Sequence, residues 1–300
     1  MIDKKDHLDV LAVSTVLILC MSWGVQQVVI KLTLVDISPV MQAAFRSIGA
    51  MVILTGWALI RRDPLFVRDG TLWWGIAAGI FFTVEFVLIF WGLEFTNASR
   101  SVIFLFCSPF VVALGSQWFV PGERLNRLQF AGLGIAFLGI IIAFGESMTL
   151  PTKTMLVGDA MLIGAAIFWG AATVVVKAGP LATISPTRTL LYQLAVSALI
   201  LPVASWSLGE PGVIRWSTFA IVSVVYQTIW VVAITYLAWF WLIRYYPAPK
   251  IASFTFLTPI FGVFAGWLIL DEPLTIALLV ALMFVATGVW LVNRQEKGDG

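Results

Sequence analysis

Charged side chains are scarce in this 300-residue chain: Asp, Glu, Lys and Arg make up 11% of it, where soluble domains hold about 25%. The formal balance of +2 is too small and too scattered to serve a nucleic acid. Histidine occurs once, at His7 in the polar N-terminal stretch, and cysteine twice, as Cys20 and Cys107 inside apolar runs. That inventory does not support a disulfide framework, and no metal site is expected. Walker and Rossmann glycine patterns are missing, as is H-E-x-x-H, which argues against ATP-driven pumping by this chain alone and gives no reason to expect a cofactor or an enzyme. No small-residue cleavage site follows a short apolar core near Met1, so the first apolar run is expected to stay as an anchor.

What fills the space is hydrocarbon. About 60% of the residues are apolar and the mean hydropathy is +0.99, the signature of an integral membrane protein. Apolar runs cut by polar, Gly and Pro residues predict ten helical spans: Val10 to Lys31, Pro39 to Ile60, Leu72 to Leu93, Ser99 to Val120, Leu128 to Phe144, Val157 to Ala178, Pro186 to Trp206, Phe219 to Ile243, Pro249 to Leu270 and Leu274 to Val292. Each has the length that about 30 Å of hydrocarbon demands of a helix. Thirteen of the Lys and Arg residues, from Lys4 and Lys5 to Arg294 and Lys297, then fall on one side, and four, Lys31, Arg100, Lys153 and Arg215, on the other. The bias places both termini in the cytoplasm.

The chain is written twice. Trp23-Gly24-Val25-Gln26-Gln27-Val28-Val29-Ile30-Lys31 returns as Trp169-Gly170-Ala171-Ala172-Thr173-Val174-Val175-Val176-Lys177, and each copy is followed by Ser-Pro, at Ser38-Pro39 and Ser185-Pro186. Further on, Ser108-Pro109 and Gly122-Glu123-Arg124-Leu125 parallel Thr258-Pro259 and Asp271-Glu272-Pro273-Leu274. The segment around Pro151 is the seam, giving one repeat over 10–144 and a second over 157–292. Five spans is an odd number, so the second copy must enter the bilayer upside down. The expected fold is an all-α membrane protein of ten helices, arranged as two inverted five-helix repeats around a central cavity.

Two five-span repeats, a Trp near the middle of the first span of each, Ser-Pro or Thr-Pro within the fourth, and an acidic turn before the fifth resemble the drug/metabolite transporter superfamily in its ten-span EamA-type branch. Within it, Thr83-Val84-Glu85-Phe86 and the paired Trp23 and Trp169 are similar to the bacterial aromatic amino acid exporters, although many of those carry Tyr where this chain has Val84. The resemblance implies export of amino acids or related metabolites across the inner membrane.

Charges inside spans mark the candidate site. Arg46 and Glu85 are expected at similar depth on successive spans, where an unpaired charge costs about 2.5–3.5 kcal/mol or more. They read either as a buried ion pair that fixes helix register or as a site in which Arg46 takes a substrate carboxylate and Glu85 an ammonium. Glu85 is also the leading candidate for proton coupling, with uncoupled facilitation equally open. Trp23 and Trp169 read as cavity wall or plain helix packing. Tyr226 and Trp230 join them, with Gln26, Thr173 and Gln227 as polar lining. Pro109 and Pro259 read as hinges or static bends.

Three readings follow. The leading one is a secondary exporter of amino acids, including aromatic and hydrophobic ones, that works by alternating access on small-molecule substrates, with membrane lipid as surroundings and a monomer as the simplest unit. Efflux of cationic drugs is the alternative, and Arg46 argues against it. A membrane-embedded enzyme or assembly subunit is the reading of a different class.

Overall fold

In a computed structural model the described residues are 5, 7–65, 67–96, 103–145, 152–270 and 276–294. The chain is a multi-pass membrane protein, and the described residues form ten helical crossings. Seven helices are long and apolar enough to span a bilayer, and three shorter apolar ones complete the set. Helix is the form that hydrocarbon imposes, because each backbone N–H and C=O must find its partner inside the segment.

In chain order the crossings are α1 (Val10–Thr33), α2 (Pro39–Ile60), α3 (Leu72–Phe95), α4 (Ser108–Phe119, preceded by a turn at 106–107), α5 (Arg127–Gly145), α6 (Lys153–Ala178) and α7 (Pro186–Ser207). The eighth crossing is α8 (Thr218–Tyr226), a π-helical stretch Gln227–Tyr236 and α9 (Leu237–Tyr245). The ninth is α10 (Ala248–Ser253), a 3-10 turn Phe254–Leu257 and α11 (Thr258–Leu270), and the tenth is α12 (Ile276–Asn293). Starts at Pro39 and Pro186 follow from chemistry: proline's fixed φ suits the first helical position, where its missing N–H costs nothing.

Those two starts are capped differently. Ser185 caps α7 itself, accepting from the Arg188 amide at 3.3 Å. At α2 the Ser38 side chain makes no cap bond, and Glu210 does the work from across the bundle, accepting from the Val40 and Met41 amides at 3.0 and 3.2 Å. A carboxylate there also suits the positive end of the helix dipole. Gly209 and Gly212, at φ 72° and 73°, make the turn that delivers it.

Bonds between loops establish the threading. The loop after α1 bonds the loop after α7, through Ser38 N to Gly212 O at 2.8 Å and Arg215 to Asp36 at 2.7 Å. The loop after α2 bonds the start of α7, through Asp69 and Arg188 at 2.8 Å, and Gln129 at the start of α5 bonds the Val292 carbonyl at the end of α12. Among the described residues, segments that follow an even number of crossings bond one another at the end carrying the chain termini, and odd ones meet at the far end. The first half therefore starts at the termini end and the second at the far end, which is the inverted arrangement.

Helix pairing obeys the same relation. α5 packs on α12 and α2 on α7, each pair joining equivalent helices of the two halves. The contact of α4 with α6 is matched by that of α11 with α1, and α3 on α7 by the π stretch on α2. The duplicated motifs meet at these crossings. A Cβ on Gly24 would lie 2.8 Å from the Thr258 carbonyl, and one on Gly170 would lie 3.2 Å from the Ser108 carbonyl. Each Trp-Gly thus packs against the Ser-Pro or Thr-Pro of the other half, and glycine is what permits that approach. Gly75 and Gly79 act likewise, lying against Tyr192 and Val196 of α7.

Candidate functional site

The interior between the halves gathers side chains from α1, α2, α3 and the π stretch. Arg46 projects from α2 and is 2% exposed, with its guanidinium carbon 4.2 Å from the centre of the Phe86 ring. Its Nη1 has no hydrogen-bond partner. Glu85, buried on α3, acts on Arg46 electrostatically, yet no ion pair joins the two among the described residues. Gln193, the approximate repeat counterpart of Arg46 on α7, is buried too, with its Oε1 unpartnered. A buried donor left without a partner forfeits about 1–3 kcal/mol, more when charged, so such groups need a reason to be there.

An aromatic wall stands beside the charges. Trp23 donates its indole N–H to Thr235 Oγ1 at 2.9 Å and meets Tyr236 and Trp239 edge-on, with ring centres 6.0 and 5.5 Å apart. Tyr236 meets Phe82 edge-on at 6.0 Å, Phe82 meets Phe86 at 4.8 Å, and Phe86 lies under Arg46. The chain of contacts closes because the Tyr236 hydroxyl stands beside the Arg46 guanidinium. Edge-on geometry directs the positive rim of one ring at the negative face of the next.

The remaining predicted residues fall elsewhere. Gln26 is buried about one turn beyond Trp23 on α1. Trp169 is partly buried and packs on Phe106 at 6.0 Å, and Thr173 bonds back to the Trp169 carbonyl at 3.2 Å. Gln227 belongs to a polar chain toward the far end: it donates to Gln42 at 3.3 Å and Ser223 at 3.2 Å, and Ser223 meets Thr33 at 2.6 Å. Tyr226 and Trp230 both tie to Ser22 on α1, at 3.4 and 3.0 Å, with Trp230 39% exposed on the bundle's side. Pro109 sits in the first turn of α4, and Pro259 follows the 3-10 turn in the ninth crossing, so each marks a real break in its helix.

The same interior also holds Thr235, Tyr236, Phe82 and Phe86, which were not among the candidate site residues read from the sequence. Thr235 is the repeat counterpart of Glu85, which was the one signal available; the aromatics sat in runs where packing is the ordinary explanation.

Polar bonds cross the bundle near the termini end. Lys177 pairs with Glu123 at 2.9 Å and also donates to the carbonyls of Ile243 and Tyr246. Next to it a cavity of about 10 Å³, lined in part by Val176, Thr189 and Phe240, has room for a single water.

Known proteins carry the same design. A crystal structure superposes with a TM-score of 0.81 at 16% identity, covering 93% of this chain and 95% of that one. The uncharacterized transporter YvbV of Bacillus subtilis (strain 168) is 26% identical over 94% of this chain and 91% of its own. A probable amino-acid metabolite efflux pump of Escherichia coli (strain K12) is 23% identical over 92% of each chain. The EamA-like transporter family matches twice, over residues 10–145 and 156–294. With its two halves each matching in full, the chain belongs to the EamA-like transporter family.

Proposed function

We propose that this transporter exports amino acids, aromatic and hydrophobic ones included, and related small metabolites across a bacterial inner membrane by alternating access. The termini face the cytoplasm, on the strength of the Lys and Arg bias. The observation that carries the substrate reading is the buried Arg46 Nη1 without a partner, beside a Glu85 carboxylate that makes no ion pair with it. An α-amino acid brings both missing partners, a carboxylate for the guanidinium and an ammonium for the carboxylate, on one carbon. Trp23, Tyr236 and Phe82 then offer apolar ring surface to its side chain. Rocking of the two repeats about this point would expose it to each side in turn, with the breaks at Pro109 and Pro259 as hinges. The name of the Escherichia coli relative agrees with this class of cargo.

Proteoliposomes containing only this protein and loaded with single labelled amino acids test the proposal. The expected result is flux above empty vesicles for a subset rich in hydrophobic side chains, reduced about tenfold or more in Arg46→Gln and in Glu85→Gln, since each removes a charge-assisted contact. Absence of flux for all twenty amino acids, or wild-type rates in both variants, would overturn it.

A further inference from the structure

Tyr236 stands where the aromatic wall meets the charged pair. It is the last residue of the π stretch, its ring is flanked edge-on by Trp23 and Phe82, and it remains partly exposed. Its hydroxyl lies beside Arg46 and within electrostatic reach of Glu85. The guanidinium has donors only, so toward it a phenol oxygen can act only as an acceptor, which leaves the phenol proton for a substrate. Arg46 Nη1 is the other uncommitted donor in the same place.

Resting on the amino acid reading above, we propose that Tyr236 determines specificity for the carboxylate: its O–H and Arg46 Nη1 form a two-donor clamp on the substrate carboxylate, while Glu85 receives the ammonium. The flanking rings fix the phenol in place, so the clamp is assembled before the substrate arrives, and little rotamer freedom remains to be lost on binding. A site built to donate two hydrogen bonds rejects an analogue that lacks the acceptor, because the donors are then left buried and unmet. The clamp accounts for discrimination between an amino acid and the corresponding amine, which Glu85 and the aromatic wall alone would not supply.

The test uses the amino acid moved best by the wild-type protein in proteoliposomes, together with its decarboxylated amine. Tyr236→Phe keeps the ring contacts and removes only the hydroxyl. The expected result is a KM for the amino acid raised about tenfold with the maximal rate within about twofold, no change in KM for the amine, and an unchanged melting temperature in detergent. Tyr236→Leu, which also removes the ring, should lower the melting temperature and impair both compounds. Equal KM values for wild type and Tyr236→Phe, or an equal rise for acid and amine, would overturn the clamp while leaving amino acid export intact. If the wild-type protein moves no amino acid at all, the export reading falls and the clamp with it.

Discussion

Lys177 and Glu123 meet at 2.9 Å with their side chains 1% and 8% exposed, forming an ion pair sealed inside the termini end of the bundle. The remaining valences are met as well, since Lys177 reaches the Ile243 and Tyr246 carbonyls and Glu123 accepts from the Ala248 amide at 2.8 Å. The arrangement ties the segment before α5 to α6 and to the turn between α9 and α10. Removing one partner strands the other charge away from water, which costs about 3–5 kcal/mol, whereas replacing both with apolar groups relieves the stranded charge. Lys177→Met and Glu123→Leu should each sharply lower the unfolding midpoint in detergent, and the double variant should be more stable than the sum of the single losses implies. Additive losses in that cycle would show that the two side chains act independently.

Gly24 separates two kinds of glycine in this chain. A Cβ there would stand 2.7 Å from the Gly262 amide nitrogen and 2.8 Å from the Thr258 carbonyl, backbone atoms that have nowhere to swing. Gly56 has nothing within 4 Å. Gly24→Ala should destabilise by about 1–3 kcal/mol through overpacking. Gly56→Ala should be neutral or gain up to about 1 kcal/mol of helix propensity. Thermal melts of the two variants side by side check the contrast, and equal effects would refute the close crossing of α1 and α11.

Asp69, in the loop after α2, gives the acid response a definite sign. The Thr71 hydroxyl, bonded at 2.5 Å, and Arg188, paired at 2.8 Å, hold its carboxyl down to about 2 from an ordinary 3.8. A lowered folded-state value means the stabilising contribution is complete above about pH 4 and drains away as pH falls from there toward 2. Asp69→Asn should therefore lower stability at neutral pH and flatten the acid limb in that window, as read by denaturation midpoints between pH 2 and 7. A variant whose acid limb matches wild type would remove Asp69 from the account.

Most of the architecture was legible because hydrocarbon leaves a chain few options. The second span was expected over Pro39 to Ile60 and forms there, since Ser-Pro opens it and Arg61-Arg62 closes it. Arg46 and Glu85 could be placed in the interior in advance, because lipid rejects both, but the ion pair that their depth suggested does not form among the described residues. Lys177 shows the limit of that reasoning. It counted as a boundary charge in the orientation bias, yet it is buried, because the groups that enclose it come from Glu123 and Tyr246, distant in sequence. The π stretch was equally hidden, as Gln227–Tyr236 carries no residue that distinguishes a wide helix from an ordinary one. A change of helical pitch alters which side chains face inward, which an ordinary helical reading of Tyr226 and Tyr236 does not register.

The pairing of helices across the halves also bears on synthesis. Because α1 rests on α11 and α6 on α3 and α4, a nascent chain that has released only its first five helices holds surfaces whose mates have not left the ribosome. Those helices must wait, inserted but unlocked, until the tenth crossing enters and closes against α5. Each half buries much of its surface against the other, so a gene cut at the seam is expected to yield working protein only when both fragments are supplied to the same membrane.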